Sequence, residues 1–316
     1  MSGAGRAPRV SVIVPLYNGA ATVAAALESI FAQSFSDFEV VAIDDGSSDD
    51  SLKVLERYRP RVRILTQRNR GPSAARNLGV SNSSGEYVGF LDADDLWRPE
   101  FLERTIAVLD KDAASVLAYT DLELADSTGE VMGTRLIGAR GVPSLNDMLE
   151  RLWPILPSSV LMRRDAFGRA GGFPEALTSF EDVYFWLLAR EQGAFSYIAE
   201  PLAIWRFALF PAPLKPAGGQ EAAGRVFDEM LQRRFGVRGL AHVAARQRAP
   251  RSILGYIGLH ALARGDQIAA RRAFGAALRT DPWRMKNYLR YARTYLPRPI
   301  ARALSGGRAD EPGRRR

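Results

Sequence analysis

The 316-residue chain has no cysteine and only two histidines, His242 and His260. Without thiols there are no disulfides and no thiolate metal sites, and cysteine usage carries no information about compartment. The first 241 residues have neither residue type, so acid–base chemistry there falls to carboxylates, lysine or tyrosine. Long hydrophobic runs are missing too. No stretch approaches the ~18–20 uninterrupted apolar residues of a membrane-spanning helix. The N-terminus, Met1 to Arg9, is small, polar and basic and lacks the apolar run of a secretory signal, so a cytoplasmic address is expected. A repeat of fixed period is also absent, although Ala261 to Pro282 resembles one helix pair of a helical-repeat protein.

The composition that remains is globular, with 47% hydrophobic and 25% charged residues, enough for a sizeable core. The length suits one large domain with an appendage, or two modest domains. Charge is unevenly placed. Residues 1–224 hold 22 Lys and Arg against 29 Asp and Glu, a balance of −7, whereas residues 225–316 hold 21 against 6, a balance of +15. An acidic body with a basic tail implies two functional parts.

Hydrophobic periodicity organises the first hundred residues. Val10–Pro15, Phe38–Ile43, Val62–Leu65 and Glu86–Leu91 read as buried strands. Helices separate them: one with Val23, Leu27, Ile30 and Phe31 on a face, one with Leu52, Leu55 and Tyr58, and one opening within Asn69–Asn77. Strands alternating with helices predict a mostly parallel twisted sheet flanked by helices, with ligands beyond the carboxyl ends of the strands. From Phe101 the order loosens into a helix to Lys111, strands at Val116–Thr120 and Ser158–Met162, and an irregular stretch around Gly129–Gly141. An amphipathic helix is expected at Glu181–Glu191, with Phe185, Trp186 and Leu188 as its apolar side. The expected organisation is a disordered N-terminus at 1–9, a catalytic domain at 10–210, a proline-rich linker at 211–219, a basic helical extension at 220–300 and a disordered tail at 301–316.

Two acidic clusters fall at strand ends, Asp44-Asp45 and Asp92-Ala93-Asp94-Asp95. Where the chain turns, Asp92 and Asp94 can converge on one hard divalent cation, which takes oxygen ligands and keeps waters and phosphates in its shell. Asp-x-Asp alone is as readily a solvated acidic loop. Loops after neighbouring parallel strands lie side by side, however, so four carboxylates are expected in one cleft, at a cost that a metal or a set of donors must offset. Arg76, Asn77 and the backbone N–H groups at the helix start marked by Gly71-Pro72-Ser73 are the available donors, Arg76 also reading as a structural ion pair. Glu181-Asp182 reads either as a general base or as charge favoured at a helix N-terminus. Arg206 follows an apolar run and can lie against a diphosphate or in solvent. Trp283, Tyr288, Tyr291 and Tyr295 among Arg284, Lys286, Arg290 and Arg293 suit either a packed helix with a solvated basic face or an anionic membrane surface.

These motifs together resemble glycosyltransferase family 2, inverting enzymes of the GT-A fold, over about residues 9–210. Val10 to Asn18 is similar to the family's opening strand and nucleotide-contacting turn, with Pro15, Leu16, Tyr17 and Asn18 as implied donor contacts. Asp44-Asp45-Gly46-Ser47 resembles its base- and ribose-binding loop. Asn69 to Asn77 resembles its donor-binding helix start, which implies Asn69, Gly71, Arg76 and Asn77. Asp92-Ala93-Asp94 resembles its metal motif, implying Asp94 as ligand to Mg²⁺ or Mn²⁺ and Asp92 as a ribose or metal-water contact. Glu181-Asp182 resembles its Glu-Asp pair, with Asp182 as the implied base, and Arg206 is an implied diphosphate contact.

The resemblance implies hexosyl transfer from a nucleotide diphosphate sugar, UDP-linked, to a glycan, lipid-linked or other hydroxyl acceptor in cell-surface glycan synthesis. It departs from the family after Arg206, where Phe207-Ala208-Leu209 stand in place of a histidine that follows closely in many relatives. The Gln-x-x-Arg-Trp signature of processive polymerases is missing, which argues for transfer of single sugars. A nucleotidyltransferase or a dinucleotide oxidoreductase needs a glycine-patterned turn after strand one, and Pro15-Leu16-Tyr17-Asn18-Gly19 is neither. The rival reading is a non-catalytic nucleotide-sugar-binding or scaffold subunit acting through its basic tail. Nucleic acid is not an expected partner. The tail is expected to meet an anionic membrane, at its cytoplasmic face, or a partner protein.

Overall fold

A computed structural model describes residues 6–125, 129, 131–135, 141–151, 155–206, 217–237, 258, 262, 267–280 and 285–295. The linker residues 211–216, both histidines, the side chains of Trp283 and Lys286 and the tail 301–316 lie outside the described residues.

The expected alternation is present at the start of the chain. Strands β1 (Val10–Leu16), β2 (Phe38–Asp44), β3 (Arg63–Thr66) and β4 (Tyr87–Phe90) alternate with helices α1 (Val23–Phe31), α2 (Ser51–Glu56) and α3 (Pro72–Ser81). They form parallel pairs in the order β3-β2-β1-β4, with Ile13 opposite both Val41 and Phe90. Every residue of β1 is buried, as a strand covered on both faces requires. Each fully buried Val, Leu or Ile contributes about 1.5–3 kcal/mol, so this strand is the axis of the core. Of the helix faces expected, Val23, Leu27, Ile30 and Leu55 are buried, while Leu52 is exposed.

α3 lies close against this sheet. A Cβ on Gly79 would come within 2.5 Å of Ile13 Cγ2 and 2.6 Å of Ile43 Cδ1, so only glycine permits that approach.

Parallel order stops at β4. Beyond it run β5 (Leu96–Trp97), α4 (Phe101–Lys111), β6 (Ser115–Ala125), β7 (Val131–Arg135), α5 (Leu145–Arg151), a short 3₁₀ turn (Pro157–Ser159), β8 (Val160–Arg163), α6 (Arg164–Ala170), α7 (Glu181–Gln192) and β9 (Ala194–Arg206). The sheet continues β4-β8-β6-β9-β5, with β8 antiparallel to β4 and β6, β5 antiparallel to β9, and β7 paired to β6 off that path. The sheet is therefore mixed: parallel from β3 to β4 and antiparallel at β4–β8, β8–β6 and β9–β5. Part of the stretch read as irregular, 131–135, is the strand β7.

α7 departs from the amphipathic helix expected there. Asp182, Val183, Tyr184, Phe185, Trp186, Leu187 and Ala189 are all buried, so the helix is enclosed on nearly every side. Trp186 Nε1 donates to the Ile155 carbonyl at 3.0 Å, satisfying its buried N–H.

After β9, helix α8 (Ala217–Phe235) begins inside the stretch read as linker. It clusters with the sheet unit, which holds the described residues up to Glu123 and Thr134–Arg206. The second compact unit holds α9 (Gln267–Thr280) and α10 (Met285–Arg293). There Arg271 stacks over Tyr295 at 3.9 Å and donates to the Thr294 carbonyl at 3.1 Å. No helix among the described residues is long and apolar enough to cross a membrane.

Candidate active site

At the carboxyl ends of β1, β2 and β4 lies a cavity of about 710 Å³. Its wall is drawn from five chain segments: Pro15–Gly19 with Thr22; Asp45; Asn69 with Gly71, Pro72, Ala75 and Arg76; Asp92–Asp94; and Glu181. Strand ends meet here because parallel strands all point their carboxyl termini to one edge.

The turn after β1 is built on Asn18, a non-glycine residue at φ 51°. Its N–H donates to Ser47 Oγ at 2.9 Å and its Oδ1 accepts from Ser48 N at 2.8 Å, tying this turn to the one after β2. Tyr17 is 53% exposed on the cavity rim, an aromatic surface open to a flat ligand.

After β2, Asp45 is 4% exposed. Its carboxylate accepts from Gln67 Nε2 at 2.7 Å, Arg70 N at 2.9 Å and Gly71 N at 2.8 Å, three of the roughly four bonds a carboxylate can accept. Asp45 thus shapes the entry to α3. Gly46 follows at φ 77°, where a Cβ would stand 2.9 Å from Asn69 N.

Arg76, on α3, is 3% exposed. Its Nη2 donates to Asp92 Oδ1 at 2.6 Å, its Nη1 lies 3.6 Å from Glu181 Oε1, and its guanidinium sits 5.1 Å over the Phe173 ring. Burial lowers its pKa, but the charges of Asp92, Glu181 and Asp182 outweigh that and leave it raised. Among the described residues, Nε and Nη1 have no hydrogen-bond partner.

The acidic loop after β4 holds three carboxylates in different states. Asp92 is paired to Arg76, and Asp94 keeps an exposed carboxylate in the cavity wall. Desolvation by the surrounding chain, then the Asp92 charge, raises the Asp94 pKa. Asp95 points inward, accepting from Ser158 Oγ and from Arg206 N at 3.2 Å. Burial, then Asp94 and Asp92, push it well above the carboxylate range. Ser158 also accepts from Asp92 N at 3.2 Å through its hydroxyl and from Trp97 Nε1 at 2.7 Å through its carbonyl, so this one serine fixes the loop.

Twelve expected residues line the cavity: Pro15, Leu16, Tyr17, Asn18, Asp45, Asn69, Gly71, Arg76, Asp92, Ala93, Asp94 and Glu181. Six others stand behind it. Asp44 accepts from Ser47 N at 3.3 Å, and Gly46 and Ser47 shape that turn. Asn77 bonds the Phe173 carbonyl and N–H, both at 2.9 Å, and so anchors the loop before α7. Arg206 donates to the carbonyls of Asp94 and of Thr22, the latter at 3.2 Å, clamping the acidic loop to α1. Asp182 is 3% exposed and accepts the Val183 N–H at 2.7 Å. The fourth carboxylate of the cavity is therefore Glu181 in place of Asp44, because the Asp44 side chain turns back to its own loop.

Gly19, Thr22 and Ala75 line the cavity without having been singled out, and Pro72, read as part of the helix start, lines it too. Their positions inside or beside the motifs were the available signal. Asp95, Ser158 and Gln67 act by holding others, which residue type alone does not disclose.

Among the described residues, no group of three or more His, Cys, Asp or Glu is arranged to hold a metal ion by itself. The donor set does fit an open site. Asp94 is exposed and the Asp92 side chain is 31% exposed, and a hard divalent cation is commonly held by one or two carboxylates plus waters and substrate phosphates.

Comparison with known proteins places the chain. The model of glycosyl transferase family 2 matches residues 11–168. An uncharacterized glycosyltransferase of Rickettsia felis is 33% identical over 200 residues, 62% of this chain and 32% of the relative. A chondroitin synthase of Escherichia coli is 30% identical over 207 residues, 61% of this chain and 28% of the relative. The chain thus spans about a third of the length of these two relatives. Among solved structures, S. aureus TarS 1-349 in complex with UDP-GlcNAc aligns at a TM-score of 0.59 with 20% identity, over 94% of this chain and 91% of that one. That likeness is one of fold.

Proposed function

The chain belongs to glycosyl transferase family 2, and from that premise we propose that it is a metal-dependent inverting enzyme that moves a single hexosyl unit from a nucleotide diphosphate sugar to an acceptor hydroxyl. The observation that carries this reading is the convergence of Tyr17, Arg76, Asp94 and Glu181 on one cavity at the parallel strand ends. The donor we infer is UDP-linked, as in the neighbouring TarS complex with UDP-GlcNAc. Tyr17 offers its exposed face to the base, and the Asn18–Ser47 and Asp45–Gly71 bonds hold the walls of the base and ribose pocket.

Among the described residues, the cavity wall carries Asp45, Asp92, Asp94 and Glu181 against one cation, Arg76, a field that repels a diphosphate. A Mg²⁺ or Mn²⁺ ion held by Asp94, with Asp92 through water, would offset that repulsion and stabilise charge on the leaving phosphates. Arg76 adds guanidinium donors beside the same acidic loop. Asp182 is the base: it takes the proton of the acceptor hydroxyl, whose oxygen attacks the anomeric carbon opposite the leaving nucleotide diphosphate. One displacement inverts the configuration. Glu181 holds Arg76 and so the floor of the site.

The acceptor we propose is a glycan or lipid-linked hydroxyl in cell-surface polymer synthesis, which the chondroitin synthase relative supports. Residues 225–316, with their balance of +15, are proposed to rest on the anionic cytoplasmic face of a membrane. In the second unit Tyr288, Leu289 and Tyr295 are 47%, 61% and 60% exposed, an aromatic and apolar surface in a basic segment.

A thermal-shift panel of nucleotide diphosphates and nucleotide sugars, with and without Mn²⁺, tests the donor. The expected result is a metal-dependent rise in melting temperature with one nucleotide class. Absence of any shift in folded protein would favour a scaffold role instead.

A further inference from the structure

Glu181 and Asp182 lie beyond residues 11–168, which the family accounts for. Their helix begins at an unusual residue. Phe180 has φ 67° and ψ 14°, the left-handed region, and is 5% exposed. A bulky residue keeps that conformation only where its surroundings over-determine it. The usual N-cap is extended and small or polar.

Part of those surroundings comes from α8. Phe227, fully buried, meets the Phe180 ring at 5.4 Å and the Tyr184 ring at 6.4 Å. Farther along, Phe235 meets Tyr184 at 6.3 Å and Arg234 pairs with Glu191 at 3.0 Å, so α8 is fastened to both ends of α7. The direction of the first turn of α7 decides that Glu181 faces the cavity, 3.6 Å from Arg76, and that Asp182 is buried.

We propose that Phe227 is a positioning residue of the transfer reaction: it clamps Phe180 in its left-handed turn and thereby sets the orientation of Glu181 and Asp182. The proposal rests on the assignment of Asp182 as base. It makes α8, a helix outside the matched residues, part of what the reaction needs.

The test compares Phe227→Ala, Phe227→Leu and Leu231→Ala in the full chain. Leu231 is also fully buried on α8 and serves as a control for lost packing. For Phe227→Ala, kcat should fall about tenfold or more, since small misplacements of reacting groups are costly. The donor KM and the nucleotide-induced melting shift should stay within about twofold. Phe227→Leu should recover most of kcat. Leu231→Ala should lose comparable thermal stability and keep its kcat well below its melting temperature.

Equal kcat loss in Leu231→Ala, or unchanged kcat in Phe227→Ala, would overturn the proposal. Amide hydrogen exchange at Glu181–Tyr184 gives a readout independent of turnover, expected to quicken in Phe227→Ala only. Should the wild-type chain transfer no sugar, the base assignment fails, and exchange still decides whether the clamp exists: unchanged exchange in Phe227→Ala refutes it.

Discussion

Arg76 pairs with Asp92 and Glu181 and feels the charge of Asp182, at a position 3% exposed. Removing the cation leaves those charges uncompensated, which generally costs more than the pair contributes when intact. Arg76→Met should therefore lower stability by about 3 kcal/mol, read from urea denaturation, and weaken nucleotide binding as well. The neighbouring carboxylates separate by role. Asp182→Asn should reduce kcat by about two to four orders of magnitude with donor affinity nearly intact. Equal loss of both parameters would remove Asp182 as base. Asp94→Asn should abolish the Mn²⁺ dependence of the nucleotide-induced melting shift while a metal-free shift, if present in the wild type, persists. These residue types were legible in the sequence as motifs. Their partners were not: Asn77 and Arg206 carry the donors expected of ligand contacts, yet fold geometry spends them on the Phe173 loop and the Asp94 carbonyl.

Elements rest on close contacts that single substitutions can probe. Gly79 of α3 faces Ile13 and Ile43, so Gly79→Ala should destabilise by about 1–3 kcal/mol through overpacking, despite the higher helix propensity of alanine, and melting curves would show it. At the opposite edge, Arg9 before β1, Tyr87 of β4 and Asp110 of α4 form one polar cluster. Arg9 Nη2 and Tyr87 Oη both donate to Asp110 Oδ1 at 2.7 Å. The Arg9 hydrogen bond holds the Asp110 pKa below its ordinary value, while burial, then the bond to Asp110, pushes Tyr87 up to about 12.

A depressed carboxylate pKa adds stability above the unfolded value of about 3.9 and loses it as pH falls through the folded value. The melting deficit of Asp110→Asn should accordingly be present at pH 7 and shrink as pH drops below about 4; a deficit constant with pH would reject this linkage. Alternation of strand and helix revealed β1 to β4 because each is a short β-branched run bounded by turn residues. The antiparallel continuation was less legible. Which strand pairs with which depends on long-range register, and α7, read with one apolar side, is buried on nearly every side by segments distant in sequence.

Across the whole molecule there are two compact units, and the change in charge at residue 225 falls within α8, which clusters with the first. The acidic body contains the cavity, and α9 and α10 belong to the basic remainder. Leu289→Glu should cut binding to phosphatidylglycerol-containing liposomes at low salt, measured by co-sedimentation, with sugar transfer to a soluble acceptor unchanged. Binding equal to wild type would turn attention to a protein partner.

By itself, the sequence determined the family, the parallel strand core and the five motif segments, because each is a local pattern whose chemistry follows from residue type and spacing. Only the tertiary structure decided that Glu181 faces the cavity while Asp182 is buried, that Asp45 shapes the entry to α3, and that α8 meets Phe180 through Phe227. Those outcomes depend on where distant segments meet in space, and burial and hydrogen-bond partners exist only once the chain has closed on itself.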